Sequence, residues 1–115
     1  MRKQRSAAAL ERQLEFATTE KEKAVANYNL GLFHDNNGRE AKAIPYYRTA
    51  LQHGLNDETK AQALAWLASS LHKTGNQDCA MDSLKEAQRI TTDASLNQFL
   101  SRLERRVQRT HHAKT

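Results

Sequence analysis

The fold of this 115-residue chain is decided by residues 26–50, which read ANYNLGLFHDNNGREAKAIPYYRTA. Small and apolar residues recur in this stretch at spacings of three and four, which is the period of an α-helix rather than of a strand. The stretch is divided by Asn36-Asn37-Gly38, because glycine adopts the left-handed conformation that closes a last helical turn. We therefore predict a helix, a glycine turn and a second helix.

The same pattern returns 37 residues later, in residues 63–87, which read ALAWLASSLHKTGNQDCAMDSLKEA. Gly38 pairs with Gly75 at this offset, and elsewhere small residues match small ones and large apolar residues match large ones. The matched pairs are Ala26/Ala63, Leu30/Leu67, Gly31/Ala68, Ala43/Ala80, Tyr47/Leu84 and Ala50/Ala87. Self-similarity at a fixed period predicts a repeat protein, in which stacked units bury apolar faces that one unit alone cannot cover.

Start and stop signals on both sides of the repeats predict an all-α chain of six helices. Thr19 and Glu22 have the spacing of a capping box, and Thr91-Thr92-Asp93 marks the last break. The predicted helices span residues 4–17, 20–36, 39–53, 57–73, 76–90 and 93–109.

These helices divide the chain into an N-terminal helix, a repeat body and a tail. The predicted divisions are 1–19 for the N-terminal helix, about 20–53 and 57–90 for the repeats, 93–109 for a capping helix and 110–115 for a loose tail. The tail prediction rests on the absence of an apolar anchor after residue 109. The N-terminal helix has a narrow apolar stripe, and it either caps the repeats or mediates a homodimer.

The two repeats also carry a family resemblance. The first reads Tyr28-Asn29-Leu30-Gly31, then Gly38, Ala43-Ile44-Pro45-Tyr46-Tyr47 and Ala50-Leu51, and the second reads Trp66-Leu67-Ala68, Gly75, Ala80, Leu84 and Ala87. These residues resemble the tetratricopeptide repeat, whose usual period is about 34 residues. The longer loop His53–Lys60 resembles that of a bacterial subgroup, group 5, and the resemblance covers residues 24–104. It implies a right-handed array of antiparallel helix pairs.

The resemblance implies a function as well, because members of this family bind protein or peptide segments on a concave face lined by the first helix of each repeat. Carried over by position, the groove would contain Tyr28, Leu32, Asp35, Asn36, Ala65, Ser69, His72 and Lys73, with Arg102, Arg105 and Arg106 added by the capping helix. The arginines make one end of this groove basic, so the implied ligand is an acidic peptide or protein segment. The implied function is that of a protein–protein interaction scaffold.

Positive charge gathers at the two ends of the chain. The net charge is +5, of which residues 1–5 carry +3 and residues 102–115 carry +4, which leaves the middle mildly acidic at −2. Basic segments are the electrostatic signature of nucleic-acid binding, and this is the alternative function. We expect a protein partner first, because no aromatic residues that could stack on bases are interleaved with the C-terminal arginines.

The sequence lacks the motifs of an enzyme or of a metal site. It has no glycine-rich phosphate loop, nucleophile elbow, zinc-ligand spacing or dinucleotide fingerprint, so we expect no catalysis, no cofactor and no metal. The single cysteine, Cys79, excludes an internal disulfide and favours a reducing compartment, the cytoplasm. No apolar run is long enough for a membrane span, and no apolar signal core follows the charged N-terminus.

Overall fold

A computed structural model describes residues 6–113 of the chain, with side chains up to Thr110, and every regular element within these residues is an α-helix. The six helices are α1 Ala7–Phe16, α2 Glu20–Asn36, α3 Glu40–His53, α4 Asp57–Lys73, α5 Gln77–Ile90 and α6 Ala94–Ala113. The predicted all-α class is confirmed. The bounds predicted for α2 and α4 agree with those of the structure.

The chain divides into two compact units, the first ending at Leu55 and the second beginning at Asn56. The first unit contains α1 to α3, with α2 packed mainly on α3 and α1 lying against α2. The second unit contains α4 to α6, with α4 packed mainly on α5 and α6 in contact with both. Each unit therefore holds one complete helix–turn–helix pair and one additional helix.

The helix ends keep the 37-residue period beyond the two predicted repeats. The ends of α1, α3 and α5 lie 37 residues apart, at Phe16, His53 and Ile90, and so do the starts of α2, α4 and α6, at Glu20, Asp57 and Ala94. In this register α1 is equivalent to the second helix of a repeat, and α6 is equivalent to a first helix. The additional helices are therefore half-repeats.

The first helices begin at caps that share the same register. The side chains of Thr19 and Asn56 each accept the backbone N–H three residues further on, and Asp93 accepts those two and three residues on. Such an oxygen bonds an amide that the start of a helix leaves without a backbone partner. Because the caps lie 37 residues apart, the period is present in the polar residues as well as in the core.

The second helices begin differently, after a glycine turn. Neither α3 nor α5 has a side-chain cap, and their N-cap residues are Arg39 and Asn76. Gly38 and Gly75 stand just before these residues with φ angles of 72° and 89°, a conformation that strains any residue with a Cβ. The predicted glycine turn is therefore present in both repeats.

The core of the first unit is organised around the ring of Tyr47, which is fully buried. A Cβ added to Gly31 of α2 would lie 2.6 Å from the ring carbons Cδ1 and Cε1, so this contact requires glycine. The Tyr47 hydroxyl donates a hydrogen bond to Asp35 at 2.9 Å. Burial, and after it the charge of Asp35, raises the pKa of Tyr47 well above its usual value.

The core of the second unit is built from small and aliphatic residues. Ala68 and Leu84, which are equivalent in register to Gly31 and Tyr47, are both buried. On α6, Leu96, Leu100, Leu103 and Val107 form a buried apolar stripe. Glu58 in the first turn of α4 accepts hydrogen bonds from the hydroxyl groups of Thr91 and Thr92 and from the Thr92 amide, which fixes the loop before α6.

The outermost helices differ from the prediction at their ends. The helix α6 continues to Ala113, so residues 110–113 are helical where a loose tail was predicted, and residues 114–115 lie outside the described residues. No glycine or proline follows residue 109 to stop the helix. The helix α1 begins at Ala7, where Ser6 caps it, and the predicted residues 4 and 5 lie outside the described part of the chain.

Candidate interaction surface

Four arginines of α6 form an exposed surface that we call the basic face: Arg102, Arg105, Arg106 and Arg109. Residues at this spacing of three, four and seven lie on one side of a helix. All four side chains are exposed, and within the described part of the chain none of their guanidinium groups has a carboxylate partner. The structure thus brings the predicted Arg102, Arg105 and Arg106 together and adds a fourth arginine.

The basic face points away from the core because the other side of α6 is apolar. The buried stripe from Leu96 to Val107 packs against α5 and α4, and this contact fixes the rotation of the helix about its axis. A helix with one apolar stripe packs that side against the core, and its opposite side faces water. The arginines therefore stand on the solvent side.

Glu104 is the one acidic residue within this run of arginines, and its carboxylate is directed to α5. Its two oxygens accept a hydrogen bond from Gln88 at 3.0 Å and form an ion pair with Lys85 at 3.4 Å. The Gln88 hydrogen bond, with a smaller contribution from Lys85, lowers the pKa of Glu104 below its usual value. Because Glu104 is engaged with α5, it leaves the charge of the basic face uncompensated.

Two cavities adjoin the basic face. The first has a volume of about 450 Å³ and is lined by Phe99 together with all four arginines. The second has a volume of about 520 Å³ and is lined by Asn97, Gln98, Ser101, Arg102 and Arg105. Arg102 and Arg105 thus border both cavities, and their planar forks can each bind a carboxylate through two parallel hydrogen bonds.

Phe99 borders the first cavity, although the sequence did not single it out as a site residue. In the structure it is half-buried, and its ring meets Trp66 of α4 edge to face, with ring centroids 5.1 Å apart. One aromatic ring therefore lies beside the arginines in the structure, although none lies between them in the sequence. The spacing of three residues between Phe99 and Arg102 was the available signal for this.

The groove residues predicted in the first unit have mixed environments. Tyr28 is buried, with its ring centroid 6.1 Å from that of Tyr47, and Asp35 accepts the Tyr47 hydroxyl. Leu32 is half-buried, and Asn36, the last residue of α2, is exposed. Tyr28 and Asp35 thus take part in the core of the first unit, and Leu32 and Asn36 are the more accessible of the four.

The groove residues predicted in the second unit are likewise mixed. Ala65 is fully buried, Ser69 is half-buried and Lys73 is exposed. The Nδ1 atom of His72 lies 2.7 Å from Oε1 of Gln77, whose Nε2 group donates to the His72 carbonyl. This pair closes the turn between α4 and α5, so His72 has a structural role at the end of its helix.

A separate apolar cavity lies between α1 and α2, where the sequence analysis placed no site. It has a volume of about 420 Å³, and Phe16 and Val25 are its large apolar residues. Phe16 is 73% exposed, although it ends a helix whose other large apolar residues, Leu10 and Leu14, are buried and half-buried. The remaining lining residues are Gln13, Ala17, Lys21 and Glu22.

The described residues contain no group of three or more His, Cys, Asp or Glu side chains placed to hold a metal ion. Among the helices of the described residues, none has the length and apolar content needed to cross a membrane. Cys79, a free cysteine, is exposed on α5. The basic residues near the N-terminus, Arg2, Lys3 and Arg5, lie outside the described residues.

Two helix–turn–helix pairs of one period, flanked by half-repeats in the same register, define a helical-repeat protein. The family model described as Tetratrico peptide repeat matches residues 24–104, and the chain belongs to this family. The resemblance seen in the sequence is thereby confirmed. The family consists generally of non-catalytic scaffolds for protein–protein interaction. Among curated proteins, none matches this chain.

Proposed function

We propose that this protein is an interaction scaffold that binds an acidic protein segment, and that the basic face supplies the charge that selects it. The observation that carries the proposal is a set of four exposed arginines, without carboxylate partners among the described residues, on one side of α6. Complementary charge accelerates encounter with the right partner and penalises partners of like charge. The family membership supports a protein ligand.

The register of the repeats supports the placement of the basic face in the predicted groove. Tyr28, Ala65 and Arg102 lie 37 residues apart, and so do Leu32, Ser69 and Arg106. Arg102 and Arg106 thus hold, on α6, the helical positions that the family resemblance assigns to ligand contacts on α2 and α4, whereas Arg105 is equivalent to Gly31 and Ala68. We extend the proposal, for the second unit, to the accessible groove positions Ser69 and Lys73 of α4 and, for the first unit taken by itself, to Leu32 and Asn36 of α2.

The remaining expectations from the sequence belong to the same proposal. We propose that the protein has no catalytic activity, binds no cofactor and acts in the cytoplasm. The presence of a single cysteine, Cys79, which cannot form an internal disulfide, supports a reducing compartment. The sequence also predicts a possible homodimer. Light scattering on the purified protein measures its mass and tests this association of two copies.

The experiment is a capture of partners from nuclease-treated lysate of cells that produce the protein. The variant Arg102→Glu/Arg105→Glu/Arg106→Glu reverses three charges of the basic face. A matched control, Arg12→Glu/Arg48→Glu/Arg89→Glu, reverses three exposed arginines elsewhere and changes the net charge equally. The proposal predicts a protein that the wild type and the control retain and the first variant loses. Equal retention by all three proteins would contradict a role of the basic face.

Nucleic-acid binding is the second candidate function, because Phe99 lies beside the four arginines. A protein that neutralises several phosphates releases their counterions, so its affinity falls steeply as salt is raised. Titration of a labelled single-stranded DNA oligonucleotide at increasing salt tests this candidate. A slope of about three or more in log K against log salt, lost in the Arg102/Arg105/Arg106 variant, would favour it over the protein ligand.

A further inference from the structure

The two cavities at the basic face differ in chemical character. The cavity that contains Phe99 has an aromatic floor, whereas the other offers the amide side chains of Asn97 and Gln98 and the hydroxyl of Ser101. Arg102 and Arg105 form the ridge between them. A ligand on this ridge therefore meets positive charge at its centre, an apolar surface on one side and neutral hydrogen-bonding groups on the other.

The apolar side of the ridge is held in a fixed position. The edge-to-face contact with Trp66 restrains the Phe99 ring, and the neighbouring Leu96, Leu100 and Leu103 are buried. Binding a side chain against a restrained ring costs less conformational entropy than ordering a mobile one. Phe99 is thus suited to receive one bulky apolar side chain of a ligand.

The repeat register indicates why this part of α6 is open. Arg105 holds the position that Gly31 occupies in α2 and Ala68 in α4. In the first unit that position touches the Tyr47 ring so closely that only glycine fits. Arg105 is exposed, and a helix packed on α6 as α3 packs on α2 would overlap its side chain.

We propose that the basic face recognises an acidic segment that carries a bulky apolar residue beside its carboxylates. The carboxylates bind Arg102 and Arg105, and the apolar side chain packs against Phe99. This inference rests on the proposed function and adds the chemistry of the ligand to it. Such a segment would bind more tightly than a purely acidic one, which would contact only the arginines.

The surroundings of the arginines favour this ligand over a nucleic acid. The arginines extend over eight residues of one helix, and Arg102 and Arg109 are about 10 Å apart along its axis, which is the length of two helical turns. Phe99 is the single aromatic residue lining the two cavities, and its edge-to-face contact with Trp66 covers part of the ring. Non-specific binding of single strands relies on successive bases stacked on several aromatic side chains.

The test begins with an array of 12-residue peptides, each with three glutamates in fixed positions and one variable position scanned through Phe, Leu, Ala and Ser. The proposal predicts the strongest binding of wild-type protein where Phe or Leu adjoins the glutamates. Arg102→Glu and Arg105→Glu are expected to weaken binding of the best peptide about tenfold, as when one partner of a charge-assisted pair is removed. The Arg12→Glu/Arg48→Glu/Arg89→Glu control keeps its binding.

A double-mutant cycle then measures the Phe99 contact. Replacing the apolar residue of the best peptide by Ala is expected to weaken binding to wild type about fivefold, and binding to Phe99→Ala less than twofold. Phe99→Leu keeps an apolar contact and is expected to retain most of the coupling. Thermal unfolding followed by circular dichroism shows which variants keep the fold, and the peptide-side replacement needs no change to the protein.

The outcomes separate this inference from the function on which it rests. Binding that depends on the arginines and is equal for all four residues at the variable position overturns the inference and leaves the acidic ligand standing. Absence of arginine-dependent binding across the array, together with a capture unchanged by charge reversal, overturns both. Tighter arginine-dependent binding of a single-stranded oligonucleotide than of any peptide replaces the protein ligand with a nucleic acid.

Discussion

The two complete helix pairs use the same register and fill it with different residues. The first pair places Gly31 of α2 against the Tyr47 ring of α3, and the second has Ala68 and Leu84 at the equivalent positions. A smaller residue on one helix thus accompanies a larger one on the other. Because interiors are packed as densely as molecular crystals, we expect substitutions at the two positions to be coupled in their effect on stability.

The polar contacts of the two pairs differ as well. The Tyr47 hydroxyl needs an acceptor within the buried core and has it in Asp35 at 2.9 Å. The second pair has no hydroxyl at Leu84, and His72, which is equivalent to Asp35, instead pairs with Gln77 across the turn. The repeat fixes the helix ends and the size of core residues, and each pair then satisfies its own polar groups locally.

The largest expected effect on stability comes from truncating the large buried residue of each pair, Tyr47 or Leu84. Tyr47→Ala removes a fully buried ring, and we expect a loss of about 3–5 kcal/mol in the free energy of unfolding. Leu84→Ala in the second pair is expected to cost about 2–5 kcal/mol. Urea unfolding measures both. A loss below about 1 kcal/mol for Tyr47→Ala would show that the ring is not the centre of its core.

The next effect tests whether the small and the large residue vary together. Gly31→Ala raises helix propensity by about 0.5–1 kcal/mol but forces a methyl group against the Tyr47 ring, at a cost of about 1–3 kcal/mol. We therefore expect net destabilisation by Gly31→Ala, and recovery in Gly31→Ala/Tyr47→Leu, which reproduces the residues of the second pair.

The matched control for this exchange is Ala68→Gly in the second pair. It creates no overlap, and we expect it to cost about 1–2 kcal/mol through lower helix propensity and the loss of a fully buried methyl group. Equal stability of Gly31→Ala with and without Tyr47→Leu would contradict the coupling of the two positions.

A smaller effect isolates the hydroxyl of Tyr47. Tyr47→Phe keeps the ring and removes the hydrogen bond to Asp35, and we expect a loss of about 1 kcal/mol because Asp35 is half-buried and partly regains water. Asp35→Asn keeps an acceptor and is expected to cost less. Urea unfolding distinguishes the two variants, and a neutral Tyr47→Phe would show that the hydrogen bond contributes no net stability.

The smallest effect concerns the pH dependence of the helix starts. The backbone amides of Thr18 and Thr19, and then the Thr18 hydroxyl, donate to Glu22 and lower its pKa from 4.5 to about 2. A carboxylate with a depressed pKa adds stability above the unfolded value of 4.5, and this contribution is lost as the pH falls towards 2. The equivalent start of α4 is capped by Asn56, which does not titrate.

This difference is measurable by amide hydrogen exchange in the first turns of α2 and α4. Between pH 4.5 and 2 we expect the α2 amides to lose protection through the protonation of Glu22, and Glu22→Gln to remove this pH-dependent part. The matched control is the Glu22→Gln protein, because the first turn of α4 also carries the titratable residues Asp57 and Glu58. Loss of protection in α2 that is the same in Glu22→Gln would contradict the role of the capping box in acid sensitivity.

Much of the fold could be predicted because the period of 37 is present in several kinds of residue at once. The glycine turns at Gly38 and Gly75, and the N-caps at Thr19 and Asn56, fix the helix bounds locally. The end of α6 was not predicted, because no residue after 109 stops a helix and the sequence offers only weak anchoring there. Helix ends without a stop signal depend on such marginal balances.

The candidate site could be predicted in part. The arginines of α6 follow from charge at helical spacing, which is readable from sequence. The sequence does not show that Phe16 is exposed or that Tyr28 and Ala65 are buried, because exposure depends on which side of a helix its neighbours cover. A family position assigns a residue to a helix face, but packing decides how much of its side chain reaches solvent.

The most direct test of the account is hydrogen–deuterium exchange of the wild-type protein alone and bound to the partner that the capture recovers. We predict protection concentrated in residues 97–109 of α6. We expect no such protection when the Arg102→Glu/Arg105→Glu/Arg106→Glu variant is mixed with the same partner. Protection confined to the α1–α2 region around Phe16 and Val25, with α6 unchanged, would contradict the assignment of the basic face as the interaction surface.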